Sequence, residues 1–164
     1  MRLLILTLLV AINLYSWEFT QKNLQEMTPK QLQILKESYE IGKQIDLGYT
    51  LAAITVVETR VGKYMREENY CGVHQVSINT TKLRFNSLAR YKHTRLCELI
   101  NNSSELSAKL ALSELMYWNK VRTNWSEVVM SYNGGWNTTK HGVTYLSRIR
   151  KVVKVLQNNT EWKK

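Results

Sequence analysis

An apolar run at residues 51–57, closed by a single acid, constrains the fold of this chain more than any other feature. The run reads Leu-Ala-Ala-Ile-Thr-Val-Val, and Glu58 follows it directly. Its β-branched residues would suit a strand and its leucine and alanines a helix, and periodicity alone cannot assign a continuous apolar run. We interpret residues 49–61 as a buried helix that Gly62 terminates.

The position of Glu58 at the end of this run has a chemical consequence. Apolar surroundings disfavour the charged carboxylate and raise its pKa, so the acid can still hold a proton near neutral pH. That property is what a general acid requires. A Glu that only marks the solvated end of a buried helix would have the same sequence context, so other parts of the chain must decide between the two roles.

Length and charge set the outer limits. The 164 residues fit one domain with its own core. The formal charge of +10 favours polyanionic surroundings, and nucleic acid, an anionic membrane surface and a bacterial cell wall all qualify. Charge alone does not choose among these three.

Residues 1–17 are typical of an export signal. Arg2 precedes a mostly apolar stretch that is short for a membrane span, while the small-residue cleavage pattern near residues 14–16 is poor. We predict export to the periplasm or cell wall through a cleaved signal peptide or an uncleaved signal-anchor. An anchor would give transient membrane association. The folded domain is predicted over residues 18–164.

Export bears on the two cysteines, Cys71 and Cys97. In a reducing cytosol they would be two buried thiols, whereas in an oxidising compartment they can form a disulfide. Such a bond would tie the turn at Gly72 to the following helix. The sequence leaves both states open, because it cannot show whether the two Cβ atoms approach each other.

The remaining chain is predicted to be mostly helical. Residues 28–31, Thr-Pro-Lys-Gln, are typical of a helix start, and that helix should stop before Gly48. Further helices are predicted over residues 88–100, over 125–130 and over 141–156. One more helix is predicted to begin after a turn and cap at 101–104. Residues 17–27 are predicted to be irregular, and residues 62–86 to be a loop with short strands near 76–78.

Several kinds of site can be set aside. His74, His93 and His141 lack the spacing and the acidic or cysteine neighbours of a metal site, so neither a metal nor another cofactor is predicted. The sequence has no G-x-S-x-G elbow and no Walker-type glycine loop, which argues against the common serine hydrolases and nucleotide-binding proteins. Cys71 has no identifiable partners that would make it a nucleophile.

Four short motifs remain on this helical scaffold. They are Glu-Thr at residues 58–59, Gly-Val-His-Gln-Val at 72–76, Ser-Tyr-Asn-Gly-Gly at 131–135 and Thr-Tyr at 144–145. In this order and at these separations they resemble the catalytic domain of the soluble lytic transglycosylases, lysozyme-like enzymes that cleave peptidoglycan. The resemblance covers residues 45–150. It implies a mostly α, goose-type lysozyme-like single domain with a minor β region after the catalytic helix.

The chain departs from the family pattern at four positions. Thr59 stands where the family usually has Ser, Ser131 where it has Ala, and Ile78 where a Pro is common. His74 replaces a Met and is the most consequential of the four. A titratable ring near the sugar cleft would alter the pH response, whereas a packed, neutral imidazole would not.

The resemblance also implies a mechanism with one carboxylate, although most glycosidases use two. In this family a single Glu protonates the leaving glycosidic oxygen and then takes the proton from the muramyl C6 hydroxyl. That hydroxyl closes a 1,6-anhydro ring without water. By the resemblance, Glu58 is this acid and base, and Trp136 is either a wall residue or a core aromatic. The residues implied for substrate binding or positioning are Gln75, Tyr132, Asn133, Tyr145, Thr59 and His74.

The implied partner is the glycan strand of bacterial peptidoglycan, whose negative charge suits a basic protein. The protein is predicted to be a monomer and to have no nucleic-acid partner. Two alternatives keep the fold: a goose-type lysozyme that hydrolyses the same bond, and a peptidoglycan-binding protein without turnover. A nucleic-acid-binding module would explain the charge but none of the motifs. Compactness favours a bacteriophage endolysin over a secretion or conjugation enzyme or a host wall-remodelling enzyme.

Overall fold

The computed structural model describes residues 18–65, 68–137 and 139–163, and helices dominate this part of the chain. The prediction of a mostly α fold is confirmed. The helices are α1 (Gln21–Gln25), α2 (Pro29–Lys43), α3 (Gly48–Thr59), α4 (Ile78–Arg84), α5 (Asn86–Ala89), α6 (His93–Asn101), α7 (Ser104–Val121), α8 (Trp125–Gly134) and α9 (Lys140–Asn158). Strands β1 (Tyr70–Cys71) and β2 (Val76–Ser77) form a short antiparallel hairpin, and a 3-10 turn (Glu161–Lys163) follows α9.

Helix α3 is the centre of the core. Residues 51–56 have no exposed surface at all, and α3 packs against α2, α7 and α9. A helix covered on every side needs apolar residues all round, which is why the run showed no helical period. The prediction of a buried helix here is confirmed. Each fully buried aliphatic side chain in it contributes about 1.5–3 kcal/mol to stability.

The end of α3 differs from the prediction. The helix stops at Thr59, not at Gly62, and Arg60 and Val61 both take left-handed backbone conformations, with φ of 49° and 57°. Their amides donate to carbonyl oxygens in the last turn of α3, at 3.1 and 2.9 Å. A β-branched residue rarely adopts positive φ, and the near-complete burial of Val61 holds it there.

Other boundaries were predicted correctly where a cap marks them. The helix start at residues 28–31 is a capping box with Pro29 in the first turn, and Ser103 caps α7. The segment predicted to be irregular instead contains α1, which has a capping box of its own. The predicted loop contains α4, capped by Ser77, and the helix predicted over residues 88–100 is divided into α5 and α6. Of these short helices, α1 and α4 have side-chain caps, whereas α5 and α6 have none.

Helix α8 is longer than predicted and carries most of the Ser-Tyr-Asn-Gly-Gly motif in its last turn. The inward positions predicted for the last helix are buried at Leu146, Ile149 and Leu156, with Val153 half-buried. The predicted export signal lies outside the described residues. None of the helices in the described part combines the length and apolar character that a membrane span requires.

Candidate functional site

Glu58 lies in the last turn of α3, half-buried, next to the fully buried Thr59. Its neighbours across the fold are Tyr132 on α8 and Tyr145 on α9. Burial raises the pKa of both phenols well above the usual value, and the charge of Glu58 raises each of them further. The structure therefore brings one carboxylate near two phenols from three separate helices.

Tyr145 contacts Glu58 without ideal alignment. A side-chain hydrogen bond to Glu58 contributes to the raised pKa of the phenol. The hydroxyl is buried, however, and meets the usual distance and angle limits for a hydrogen bond with none of the described residues. The two groups are thus neighbours without a hydrogen bond of ordinary geometry between them.

Tyr132 has a fixed orientation. Part of the residue is exposed, but its hydroxyl is buried and donates to the main-chain carbonyl of His74 at 2.8 Å. A phenol has a single proton to donate. Towards any further neighbour, the Tyr132 oxygen can therefore only accept a hydrogen bond.

The turn between β1 and β2 is held by its own backbone. Gly72 and Gln75 both have positive φ, of 74° and 50°. The backbone amide and the side-chain Nε2 of Gln75 both donate to the Gly72 carbonyl, each at 3.0 Å. The hydroxyl of Thr59 donates to the Val73 carbonyl at 2.9 Å, which fastens the turn to the end of α3. Gln75 thus has a defined position relative to Glu58.

The same turn is also tied to α6. A disulfide joins Cys71 to Cys97, with their Cα atoms 5.4 Å apart. The Gly72 amide donates to Asn101 Oδ1 at 2.6 Å. Of the two cysteine states that the sequence left open, the structure contains the bridged one.

The imidazole of His74 is fully buried, between α2 and α7, and therefore does not form part of a cleft wall. Its Nε2 is 3.1 Å from Ser38 Oγ, and its Nδ1 is 3.0 Å from Ser107 Oγ. Because the Ser38 hydroxyl donates to the Ile34 carbonyl, it must accept from Nε2, so Nδ1 accepts from Ser107. This is the neutral tautomer. His74 reaches the site only through its carbonyl, which accepts from Tyr132.

This burial predicts an acid-sensitive fold. Desolvation lowers the pKa of His74 from 6.5 to about 3. Below pH 6.5 the unfolded chain binds a proton that the folded chain excludes, so stability falls by about 1.4 kcal/mol per pH unit until the folded pKa is reached. We expect chemical denaturation of the protein to show a loss of about 2.5 kcal/mol from this group between pH 7 and pH 4.5.

The measurement compares the wild type with His74→Met, which carries the residue that the transglycosylase motif has at this position. As the pH falls from 7 to 4.5, the wild type should lose that amount of unfolding free energy relative to His74→Met. His141→Gln, which removes an exposed histidine, is the matched control. A constant difference between wild type and His74→Met would show that His74 is not excluded from protonation in the fold.

A cleft of about 640 Å³ runs beside this cluster. Of the predicted site residues, Gln75, Tyr132 and Asn133 line it, and Trp136, 62% exposed, also lines it rather than packing in the core. The positioning residues Thr59 and His74 lie behind the cleft, in the core. Glu58 and Tyr145 are not among its lining residues and meet it through Tyr132, which belongs to both groups.

A larger cavity, of about 870 Å³, lies among α1, α2 and the end of α3. None of the predicted site residues lines it. We therefore place the candidate site at the smaller cleft, where the motif residues meet. In the part of the chain that the structure describes, no group of His, Cys, Asp or Glu is arranged to hold a metal ion.

Sequence reasoning missed several residues of the cleft, namely Arg84, Glu114, Tyr117 and Trp118. The last three share one face of α7, because their separations of three and four residues place side chains together on a helix. That spacing was the available signal. Arg84 lies on α4, a helix that was not predicted.

Comparisons with models of protein families, with curated proteins and with solved structures found no match for this chain. The likeness to lytic transglycosylases therefore rests on the sequence motifs alone.

Proposed function

We propose that this protein is a peptidoglycan lytic transglycosylase of lysozyme-like fold, with Glu58 as its acid and base. The observation that carries the proposal is the convergence of Glu58, Tyr132 and Tyr145 from three helices, beside a cleft that also presents Gln75 and Asn133. One acid, two phenols and two side-chain amides suit recognition and cleavage of a polar, uncharged glycosidic bond.

The proposed reaction has two proton transfers and consumes no water. In the first, protonated Glu58 gives its proton to the bridging oxygen as the C1–oxygen bond of the muramyl residue breaks. In the second, the C6 hydroxyl of the same sugar bonds to C1 and its proton passes to the Glu58 carboxylate. The acid is thereby restored, and the product strand ends in 1,6-anhydromuramic acid.

Tyr132 supports the first step by the direction of its hydrogen bond. Because its proton is held by the His74 carbonyl, its oxygen cannot donate to an ionised carboxylate. It can accept a hydrogen bond from a protonated acid. Tyr132 is a positioning residue in this account.

A goose-type hydrolysis of the same bond is the main alternative, since a second carboxylate, Glu114, lines the cleft. Its charge raises the pKa of Tyr132, so it is near the reacting cluster. Both of its oxygens are engaged, however. Oε2 accepts from Arg84 Nε at 2.8 Å and Oε1 accepts from Trp118 Nε1 at 2.5 Å. A carboxylate held in this way is poorly placed to activate water, which favours the transglycosylase.

The substrate lies outside the cytoplasm, so this function requires the export predicted for residues 1–17. The net charge of +10 suits a polymer that carries peptide carboxylates. A role as a bacteriophage endolysin, with a secretion-associated or wall-remodelling enzyme as the alternative, remains part of the same proposal.

Incubation of the full-length protein with insoluble, dye-labelled peptidoglycan tests the activity. We expect release of soluble fragments that increases with time and enzyme concentration. Sedimentation of the protein with the wall but without release would favour the peptidoglycan-binding alternative. Neither binding nor release would overturn the proposal.

A further inference from the structure

Part of the cleft is formed by a charged aromatic group that the proposed chemistry does not use. We call it the Arg84 cluster; its members are Arg84, Glu114, Tyr117, Trp118 and Trp136. It combines residues of α4 and α7 with the loop after α8. Three distant parts of the chain therefore contribute to one patch of the cleft wall.

The guanidinium of Arg84 is held in a defined orientation. Its central carbon lies 3.7 Å from the centre of the Tyr117 ring, and its Nε donates to Glu114 at 2.8 Å. Only about a fifth of the Arg84 side chain is exposed, at 21%. Stacking and one charge-assisted bond fix the guanidinium plane, so little entropy is lost when it binds a further partner.

The terminal nitrogens of Arg84 remain available for a ligand. The bond to Glu114 uses Nε, and Nη1 and Nη2 make no hydrogen bond with any residue that the structure describes. These nitrogens carry N–H donors in the planar fork that binds carboxylates in pairs. The other oxygen of Glu114 accepts from Trp118 Nε1 at 2.5 Å.

The charge around the cluster favours an anion. Arg84 and Glu114 are the charged residues among those that line the cleft. Arg122 adjoins them: its guanidinium lies 5.0 Å from the Trp136 ring and donates to the Trp136 carbonyl at 3.0 Å. Arg122 thus adds a second guanidinium beside this part of the cleft, where Arg84 and Glu114 form an ion pair.

Trp136 supplies a surface for a sugar ring. It is 62% exposed, yet its orientation is fixed by Arg122 and by an edge-on contact with Trp118, with ring centroids 5.2 Å apart. The negative face of an indole attracts the weakly positive C–H groups of a sugar, and a rigid exposed aromatic binds at low entropic cost.

From these contacts we propose that the Arg84 cluster is a recognition subsite for a carboxylate-bearing sugar unit. The Nη fork of Arg84 binds the carboxylate, and Trp136 stacks on the ring. This inference rests on the proposed function and narrows its substrate: the cleft selects glycan units that carry a free carboxylate over neutral ones of the same length.

Binding to a catalytically inactive full-length protein tests the subsite separately from turnover. The protein is Glu58→Gln, and the probes are a soluble peptidoglycan tetrasaccharide with its carboxylates free and the same fragment with those carboxylates converted to amides. By isothermal titration calorimetry we expect the free acid to bind about tenfold more tightly. Raising the salt concentration should reduce this preference.

Substitutions in the same background identify the residue responsible. Arg84→Gln should reduce the preference to less than about twofold, and Arg84→Lys, which keeps the charge but not the fork, should retain part of it. Trp136→Ala should weaken both fragments by a similar factor. Arg95→Gln is the matched control, because Arg95 forms an exposed ion pair with Glu98 away from the cleft and should leave the preference intact.

Three results would overturn the subsite: equal binding of the two fragments, no binding of either, or a full preference in both Arg84 variants. Circular dichroism confirms that each variant is folded before its affinity is interpreted. Failure of the proposed function would be seen in the incubation with dye-labelled peptidoglycan, as the absence of fragment release by the wild type. The two failures are therefore distinguishable.

Discussion

Glu58→Gln is expected to lower the release of soluble peptidoglycan fragments by about a thousandfold or more, while the protein remains folded. The amide has the shape of the acid but can neither donate the proton that the leaving oxygen needs nor take one from the C6 hydroxyl. Glu114, the carboxylate that lines the cleft, is poorly placed to replace it, because Arg84 and Trp118 donate to its two oxygens. The measurement is the initial rate of release from labelled peptidoglycan.

The matched control for this substitution is Glu105→Gln. Glu105 is an exposed acid in the first turn of α7 that pairs with Lys109, away from the cleft. We expect it to leave the rate unchanged. Release by Glu58→Gln at more than about a tenth of the wild-type rate would contradict the assignment of Glu58 as the acid.

A spectroscopic reading shows whether Glu58 lies where the structure places it. Its negative charge raises the pKa of the Tyr132 and Tyr145 phenols. Removing that charge should lower the pKa of both, although burial keeps them above the usual value. Ultraviolet titration of Glu58→Gln against the wild type measures this shift independently of substrate.

The second large effect is expected for Gly72→Ala, which should destabilise the protein by about 3 kcal/mol or more. A Cβ at this position would lie 2.5 Å from Ser107 Oγ and 2.7 Å from Ile100 Cγ2. The backbone φ of 74° also disfavours any residue with a side chain. Displacing Ser107 would in addition disturb its bond to His74, so the measurement is chemical denaturation with activity recorded alongside.

Gly134→Ala provides the comparison. Gly134 lies in α8, a Cβ there would meet nothing within 4 Å, and its φ is not positive. Alanine favours a helix over glycine by roughly 1 kcal/mol, so this variant should be as stable as the wild type or more so. Equal stabilities for the two glycine variants would mean that the turn at Gly72 is not packed as described.

Local signals in the sequence were sufficient for much of the fold. The capping box at residues 28–31 and the cap at Ser103 were predictable because a cap involves only neighbouring residues. Helix α3 required a choice between helix and strand, which burial on all sides made ambiguous. Helices α1 and α4 were missed because short helices carry too few residues to show a period.

The end of α3 could not be predicted from propensity. Left-handed backbone was expected at Gly62, but the chain places it first at Arg60 and Val61. Burial of the Val61 side chain offsets the cost of its positive φ, and that burial depends on residues far away in the sequence. The two residues with positive φ follow Thr59, and they set the direction in which the chain leaves the site.

The layout of the candidate site could not be predicted from the sequence. The motifs identified Glu58, Gln75 and Tyr132, and the structure brings Glu58 to Tyr132 and Tyr132 to the cleft. Sequence could not show that the His74 ring turns into the core while its carbonyl accepts from Tyr132. Nor could it show that Arg84 meets Glu114, because that contact joins two helices 30 residues apart.

Mass spectrometry of the fragments that the wild-type protein releases from purified peptidoglycan tests the central claim most directly. The account predicts muramyl ends that carry a 1,6-anhydro ring and are one water lighter than the hydrolysed form, with none of these fragments released by Glu58→Gln. Reducing muramyl ends would contradict the transglycosylase mechanism and assign the cleft to a lysozyme.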